Sequence, residues 1–276
     1  MNRRALLSFA VLVSGGAFVW SLAPSTVTRA ELEADPDQTL PGQGACPAGG
    51  DSDGMGPAMV RLPEGFCIDT TEVTRGQYEA WLDQAPAPSD HAACGSNDDY
   101  EPSCAWPPGN NGDQPVVCVD WCDAHAFCEA AGKRLCGSRS DGAAYAFDDY
   151  ADAGVSEWHA ACTSGGVNEY TYGNELDTQR CRGGDAEDYT TWGYVDVGSL
   201  TECRSSVDGY TEVFDLSGHA AEWDNACEGE DPDSPCRIRG GSFEHQGVGL
   251  RCAMAAELRW PRDRQAVSVG FRCCAD

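Results

Sequence analysis

The chain has 276 residues, and 45 acidic against 18 basic side chains give it a formal net charge of −27 at pH 7. A surface this acidic repels nucleic acids and anionic membranes, which excludes nucleic acid as a partner. The 16 cysteines predict an oxidising compartment and a fold held by disulfides, because a cytosolic chain rarely carries so many.

The first thirty residues have the pattern of a secretory signal peptide. Arg3 and Arg4 form a basic start, an apolar run follows, and Ala30 ends a stretch suited to cleavage. The apolar run is short and interrupted for a membrane span, although a retained anchor is the alternative. We therefore expect a signal peptide over 1–30, no membrane span after its cleavage, and a secreted or periplasmic protein.

Residues 31–58 are polar and rich in Gly, Pro and Asp, which predicts a flexible linker. The folded domain is predicted to occupy residues 59–276. It is long enough to bury a proper hydrophobic core.

The domain begins with two predicted strands and a helix. Residues 59–62 and 66–68 lie on either side of a Pro-Glu-Gly turn, which is typical of two short strands. Thr74 and Gln77 form a capping box at the start of the helix. Residues 84–114 are punctuated by Pro, Gly and Asn and predict a long loop.

Further along the chain, residues 116–119 predict a buried strand. Asp120 caps a second predicted helix, which Gly132 ends, and Ser156 caps a shorter helix through Cys162. Beyond residue 163 the chain shows glycines, aromatics and turns with little periodicity. The pattern therefore predicts one loop-rich α+β domain held together by disulfides.

Several segments, in order, resemble the formylglycine-generating-enzyme (sulfatase-modifying factor) family. The resemblance covers about residues 59–274 and implies a single irregular, coil-rich α+β domain related to C-type lectins. The main segments are Phe66 to Tyr78 (FCIDTTEVTRGQY), Gln114 to Leu135 (beginning QPVVCVDW and ending AGKRL), Phe214 to Trp223 (FDLSGHAAEW), and Arg239 to Cys273 (beginning RGGSF and ending GFRC).

The cysteine pair of the catalytic members of this family is missing here. In those members a Gly-Gly-Ser motif is followed by two cysteines, whose thiols bind copper and oxidise a substrate cysteine to formylglycine. In this chain the first of those positions is His245, and residues 243–250 contain no cysteine. A pair of soft thiolates is what captures Cu(I), so the resemblance implies neither copper nor oxidase activity for this chain.

Three residues near these motifs are candidates for a site. His245 stands at the former cysteine position and could bind a metal or recognise a ligand, or it could be a solvated loop residue. Ser242 is three residues before it, too local to indicate a catalytic triad without geometry. Trp223 belongs to a motif that is structural across the family, so it is either a core residue or part of a substrate groove.

Calcium is a second cofactor to consider. The family motif before Phe214 usually carries an asparagine, whereas residues 207–213 are one residue longer here. Asp208 is the candidate ligand in this register, and Glu222 is the other carboxylate considered. A calcium site at Asp208 and Glu222 is therefore a hypothesis drawn from the resemblance.

The cysteines admit two interpretations. Cys122, His125 and Cys128 share one face of the second helix, which could bind a metal, but disulfides are the preferred interpretation. The resemblance implies Cys128–Cys273 and Cys162–Cys252. Proximity along the chain favours four more pairs, namely Cys227–Cys236, Cys46–Cys67, Cys94–Cys104 and Cys181–Cys203.

Two functions follow from these observations. The first is an extracytoplasmic binding or structural module that holds a protein, peptide or glycan in the groove used by active relatives, or on the acidic loops 84–114 and 137–155. The second is an enzyme, either one that still oxidises a protein cysteine to formylglycine or one with metal-assisted chemistry at His245. The missing thiols favour the first function.

Overall fold

Two small sheets and three helices carry the fold in the computed structural model, which describes residues 45–50, 55–97, 99–185, 193–254 and 259–276. The predicted signal peptide lies outside the described residues. The strands are β1 (Met59–Arg61), β2 (Cys67–Asp69), β3 (Arg134–Leu135), β4 (Ala221–Cys227), β5 (Pro235–Arg239), β6 (Arg259–Pro261), β7 (Val269–Gly270) and β8 (Cys273–Ala275). The helices are α1 (Arg75–Leu82), α2 (Trp121–Ala130) and α3 (Glu157–Cys162), with 3-10 turns at Ala92–Cys94, Phe147–Ala151 and Gly247–Leu250.

The first sheet has the strand order β1-β2-β8-β3 and is antiparallel throughout. β1 and β2 are the two strands predicted around the Pro-Glu-Gly turn. The C-terminal strand β8 lies between β2 and β3, with Ile68 opposite Cys274 and Leu135 opposite Cys273. This sheet therefore joins the beginning, the middle and the end of the domain.

The second sheet has the order β6-β5-β4-β7. β4 and β5 form an antiparallel hairpin whose register shifts between Trp223 and Cys227, and β4 pairs in parallel with β7. β5 leads directly into the loop that contains Ser242 and His245, so this sheet positions the candidate site.

The helices begin where their capping residues predict. The Thr74 hydroxyl accepts the Gln77 amide at 3.2 Å, and the Gln77 side chain accepts the Thr74 amide at 3.0 Å. Asp120 caps α2 and Ser156 caps α3 in the same way, each accepting an amide three residues later. These side chains satisfy amides that the first turn of a helix leaves without partners.

The segment 116–119 is buried as predicted, but it is not a strand. Its residues are at most 1% exposed. The amide of Val116 donates to Val73, and that of Cys118 donates to Ala266, on different parts of the chain. Cys118 also has a positive φ of 60°. The strand prediction was wrong because a buried apolar run does not by itself specify a partner strand.

The main hydrophobic core lies where α1 and α2 face the second sheet. Tyr78 of α1 stacks on Phe127 of α2 with ring centroids 5.6 Å apart, and Trp81 packs edge-on against the same Phe127 ring. The Tyr78 hydroxyl donates to the carbonyl of Tyr100 at 2.9 Å, which satisfies its one buried polar atom.

The described end of the predicted linker is attached to the domain. Cys46 is bonded to Cys67 of β2. The ammonium group of Lys133 donates to the carbonyl of Pro57 at 2.8 Å and to Asp69 at 2.6 Å, and the Lys133 and Asp69 side chains are fully buried. Two points of the predicted linker, Cys46 and Pro57, are thus attached to the folded domain.

All sixteen cysteines are paired. The three bonds Cys128–Cys273, Cys162–Cys252 and Cys227–Cys236 are present, as are Cys46–Cys67 and Cys181–Cys203. The pairing Cys94–Cys104 was wrong, because Cys94 faces Cys122 in the first turn of α2 and Cys104 faces the buried Cys118. Cys136–Cys274 completes the set. With Cys122 and Cys128 both in disulfides, the metal interpretation of these two thiols is also wrong.

One arginine of the second sheet makes close contacts with the acidic loop 137–155. The Arg237 guanidinium of β5 lies 3.6 Å from the Phe147 ring centroid and 4.0 Å from that of Tyr150. Its Nε also donates to the carbonyl of Phe147 at 3.0 Å. Because Arg237 is only 4% exposed, these cation–π contacts are desolvated and therefore stronger than surface ones.

We expect Arg237→Ala to lower the free energy of unfolding by about 2 kcal/mol, the size of a desolvated cation–π contact. Hydrogen exchange of the amides in 147–151 should become faster. Arg264→Ala is the matched control, since that exposed guanidinium stacks on Trp260 and should contribute about 0.5–1 kcal/mol. Equal costs for the two variants, with unchanged exchange in the loop, would contradict this role for Arg237.

Within the described ranges, the structure has no helix long and apolar enough to cross a membrane.

Candidate functional site

The loop after β5 is shaped by two successive glycines. Gly240 and Gly241 have φ angles of 82° and 71°, which side chains other than hydrogen adopt at a cost. A Cβ at Gly241 would lie 2.3 Å from the carbonyl oxygen of Gly249. The glycines therefore let the chain fold back on itself, so that residues 242–250 form a compact turn.

Ser242 and His245 contact each other inside this turn. The Ser242 Oγ lies 2.9 Å from His245 Nδ1, and the Ser242 amide donates to the same Nδ1 at 3.1 Å. The hydroxyl also accepts the amide of Glu244 at 3.2 Å. Because Nδ1 accepts an amide hydrogen, His245 is neutral with its proton on Nε2, in line with a pKa that burial lowers.

This geometry favours a turn-stabilising role for Ser242. Its side chain is completely buried, so the hydroxyl cannot reach a substrate, and its hydrogen bonds are local. His245 is half-buried, and Nε2 is the ring atom left to contact a ligand. The turn can therefore present an imidazole N–H to a partner, but it does not present a serine nucleophile.

The surface around this turn combines apolar and acidic side chains. We call it the 243–250 face; it consists of the turn itself together with Leu176 and Asp185. Val248 is 60% and Leu176 is 45% exposed. The Leu176 methyl lies 3.9 Å from the Cβ position of Gly247, and Asp185 accepts the Gly247 amide at 3.0 Å. The exposed carboxylate of Glu244 adds a second negative charge.

Trp223 lies in the core and not at this face. It is 1% exposed, and its indole N–H donates to the carbonyl of Val119 at 3.0 Å. Trp223 was expected to be either a core residue or part of a substrate groove, and in the structure it is a core residue. The turn 242–250 brings together His245 and Ser242, two of the three candidates, and exposes only His245.

The calcium candidates have unsuitable surroundings. Glu222 is buried on β4, where its two oxygens accept three hydrogen bonds, from Arg272 at 2.8 and 2.7 Å and from Trp158 at 2.7 Å. The guanidinium of Arg272 occupies the place that a cation would need. Asp208 lies on an exposed turn. The residues therefore do not fit a calcium site built on Glu222.

A buried ionic cluster lies beneath the site, and sequence reasoning did not predict it. It contains Glu72, Asp215 and His219, whose candidate ligand atoms all lie within 4.8 Å of one another; it is the one such group among the residues that the structure describes. His219 Nδ1 is 2.9 Å from Glu72 Oε1 and 4.0 Å from Asp215 Oδ2. Its Nε2 is 3.1 Å from the carbonyl oxygen of Val195.

Both ring nitrogens of His219 face acceptors, so both carry protons and the ring is an imidazolium. Burial alone would lower the pKa of His219, but the charge and hydrogen bond of Glu72 raise it to about 9. Burial and the charge of Glu72 raise the pKa of Asp215 to about 7. A metal ion would have to displace the Nδ1 proton, so these side chains form a buried ion pair with the charge already balanced.

The residues also do not fit copper(I). Soft thiolates are the ligands that capture this ion. All sixteen thiols are consumed in disulfides, and residues 243–250 supply one imidazole and one carboxylate.

Residues 6–276 match the family described as sulfatase-modifying factor enzyme 1-like domain. The formylglycine-generating enzyme of Bos taurus is 26% identical over 192 residues, which are 59% of this chain and 44% of that protein. The chain thus spans less than half the length of this curated relative.

Two solved structures superpose on most of this chain. PvdO from Pseudomonas aeruginosa superposes with a TM-score of 0.50 and 17% identity, covering 81% of this chain and 90% of that one. CarF gives a TM-score of 0.49 and 20% identity over 76% of this chain and 86% of that one. At 17% identity PvdO is similar to this chain in fold alone.

Proposed function

The chain belongs to the sulfatase-modifying factor enzyme 1-like domain family. We propose that it is a member that acts as an extracytoplasmic binding module and does not oxidise cysteine. The observation that carries the proposal is the state of the cysteines. All sixteen are in disulfides, and the 243–250 turn contains none.

The argument against oxidation starts from ligand chemistry. Copper(I) needs soft ligands, and a disulfide sulfur does not replace a thiolate. His245 offers one borderline nitrogen, and its Nδ1 is already held by the Ser242 amide. One imidazole nitrogen does not make the two-thiolate site that the resemblance assigns to active members.

The disulfides also support an extracytoplasmic location. Eight bonds in one domain form and persist in secreted or periplasmic proteins, whereas the cytosol keeps thiols reduced. The predicted signal peptide over residues 1–30 is in keeping with export.

The 243–250 face is the surface through which we propose that the module binds. Val248 and Leu176 offer exposed apolar contact, and Asp185 and Glu244 provide negative charge beside them. Exposed apolar side chains surrounded by charge are typical of recognition surfaces. A polypeptide with an apolar side chain next to a basic one has the complementary chemistry.

We expect the mature protein, purified from an oxidising compartment, to have no titratable thiol after unfolding without reductant, because every cysteine is bonded. It should bind no stoichiometric Cu(I) and leave a cysteine-containing peptide unchanged by mass spectrometry. The bovine formylglycine-generating enzyme serves as the positive control. Two reactive thiols with bound copper, or an aldehyde on the peptide, would overturn the proposal.

The binding surface is tested separately by photo-cross-linking. A photoreactive side chain at Val248 should cross-link to one extracytoplasmic polypeptide, and Leu176→Asp should abolish that product. The same photoreactive group at Ala80, which is exposed on α1, is the control position. Products that are the same at both positions would show that the 243–250 face is not the binding surface.

A further inference from the structure

A cleft beside α3 is lined by both hydrogen-bond donors and acceptors. It has a volume of about 560 Å³, which lies in the range of small-molecule sites. His159 of α3 lines it, as do Arg251 and Ala253 on either side of Cys252. Because Cys252 is bonded to Cys162 at the end of α3, a disulfide holds these two parts of the lining together.

A buried arginine fixes the orientation of His159 from behind. Nη2 of Arg239 donates to His159 Nδ1 at 3.3 Å and to the carbonyl of Cys252 at 3.0 Å. Arg239 is itself held by Asp224 at 2.9 Å, and both of these side chains are fully buried. A guanidinium does not give up its protons, so Nδ1 accepts and the ring proton lies on Nε2. The ring is neutral, because burial and the charge of Arg239 lower the pKa of His159 to about 4.

The Nε2–H group of His159 has no partner in the described part of the chain. His159 is only 6% exposed, and its hydrogen bonds to the described residues are all made by Nδ1. Nε2 is not sealed from solvent, and the ring lines the cleft, so this group faces the cleft. Polar groups of deeply buried side chains are nearly always paired. An acceptor atom of a ligand would supply the partner.

The charges around the cleft disfavour an ionic ligand. Asp152 and Glu169 line it and would repel an anion, as would the net charge of −27. A cation at the inner end would face the N–H group of His159, with the guanidinium of Arg239 behind it. Arg251 is paired with Glu169 at 3.0 Å and is therefore not free to hold an anion. A neutral molecule with hydroxyl groups avoids both penalties, because each hydroxyl donates and accepts.

We propose that this cleft binds one ring of a neutral saccharide. One hydroxyl oxygen accepts the Nε2–H group of His159, and neighbouring hydroxyls donate to the carboxylates of Asp152 and Glu169. The amide nitrogen of Asn168 already donates within the protein, so its oxygen is left to accept a further hydroxyl. Small methyl groups in the lining suit the C–H faces of a sugar ring; they belong to Ala151, Ala153 and Ala253.

This site shares no residue with the 243–250 face, so it does not depend on the function proposed for that face. The test is saturation-transfer NMR and isothermal titration of the mature protein with glucose, galactose and mannose at millimolar concentrations. At least one of these sugars should bind. The uronate and amino forms of that sugar should bind about tenfold more weakly or less, since each places a charge where the cleft opposes it.

The methyl glycoside of the sugar that binds distinguishes two sources of the ring. Retained binding identifies the terminal ring of a glycan, and lost binding identifies a free monosaccharide. Failure of all three neutral sugars to bind would overturn the proposal. Tighter binding of the uronate or the amino sugar would overturn it as well.

Variants place the site within the molecule. Asp152→Asn and His159→Ala should each weaken binding by about tenfold or more, the effect of losing a hydrogen bond to a charged or buried group. Asp152 is exposed, and asparagine can still accept the Gly154 amide that Asp152 accepts at 2.7 Å. This variant therefore keeps the test valid if His159→Ala fails to fold.

Asp149→Asn is the matched control. It makes the same chemical change at an exposed residue three positions earlier that does not line the cleft, and it should leave the affinity unchanged. Equal losses in Asp149→Asn and Asp152→Asn would show that overall charge and not the cleft governs binding, which would also overturn the proposal.

Discussion

Removing the two disulfides Cys128–Cys273 and Cys136–Cys274 together should lower the free energy of unfolding by about 7 kcal/mol, whereas removing either one alone should cost about 3 kcal/mol. The bonds span 145 and 138 residues, and taken singly such long loops would suggest about 5 kcal/mol each. The lower cost follows from their position, since Cys273 and Cys274 are neighbours in β8 and bond to residues on both sides of the α2–β3 turn.

While one bond remains, the other closes a loop of only about ten residues in the unfolded chain, which is worth about 3 kcal/mol. When both bonds are removed, Cys162–Cys252 is the nearest remaining cross-link between these two segments. Removing the second bond therefore opens a loop of about 50 residues in the unfolded chain, which corresponds to about 4 kcal/mol. The double removal therefore exceeds the sum of the single removals by about 1 kcal/mol.

Guanidinium unfolding of the three alanine variants without reductant measures this coupling. The bond Cys227–Cys236 provides the control, because it closes its own short loop with a separation of 9 residues and its removal should add to that of Cys128–Cys273. A cost near 5 kcal/mol for each single variant, or exact additivity of the neighbouring bonds, would contradict the redundancy.

The stability of the protein should fall by about 3 kcal/mol between pH 7 and pH 10 because of His219, as a shift of one pKa unit corresponds to about 1.4 kcal/mol. The pKa of His219 is raised from 6.5 to about 9 in the folded state. A raised pKa gives stability that is fully present below 6.5 and is lost as the pH rises through about 9. Because His219 is fully buried, solvent screens little of the electrostatic free energy that raises its pKa.

The groups around the His219 ring determine the pH range in which its titration can be followed. Glu72 and Asp215 contact it, the Tyr194 ring packs edge-on, and Arg272 lies 3.9 Å from the second oxygen of Glu72. The raised pKa of Asp215 removes stability between about pH 4 and 7, so that range is avoided. Above pH 7 the disulfide-bonded cysteines do not titrate.

His219→Asn is the matched variant, because asparagine keeps a hydrogen-bonding side chain of similar size and carries no titratable group. Free energies of unfolding at pH 7 and pH 10 should converge for the two proteins as the pH rises. Other groups that titrate in this window, such as Asp123 with a pKa near 8, are common to both. A pH dependence that is the same in the variant would show that His219 is not an imidazolium in the fold.

The parts of the fold that the sequence predicts are those coded locally. Thr74, Asp120 and Ser156 were identified as caps because a cap depends on residues three positions apart, and all three cap helices in the structure. The strand at 116–119 was wrong because its amides pair with separate distant residues. The Cys94–Cys104 pair was wrong because closeness in sequence did not correspond to closeness in space.

In the candidate site, too, the local features were predicted and the long-range contacts were not. His245 and Ser242 were found because the Gly-Gly-Ser motif and its departure from the family pattern are contiguous in sequence. The ion pair of Glu72 and His219 joins residues 147 positions apart, and no periodicity links them. The one available signal was the histidine at residue 219, which places a titratable ring between Asp215 and Glu222 in the segment Phe214 to Trp223.

The burial of Lys133 determines how the surface can be chemically labelled. It is the only lysine among the 276 residues, and its ammonium group is enclosed with Asp69. Apart from the α-amino group, the folded protein therefore offers no primary amine to succinimidyl esters, aldehyde fixatives or glycating sugars. Such reagents should therefore react at the α-amino group and leave the side chains of the described domain unmodified.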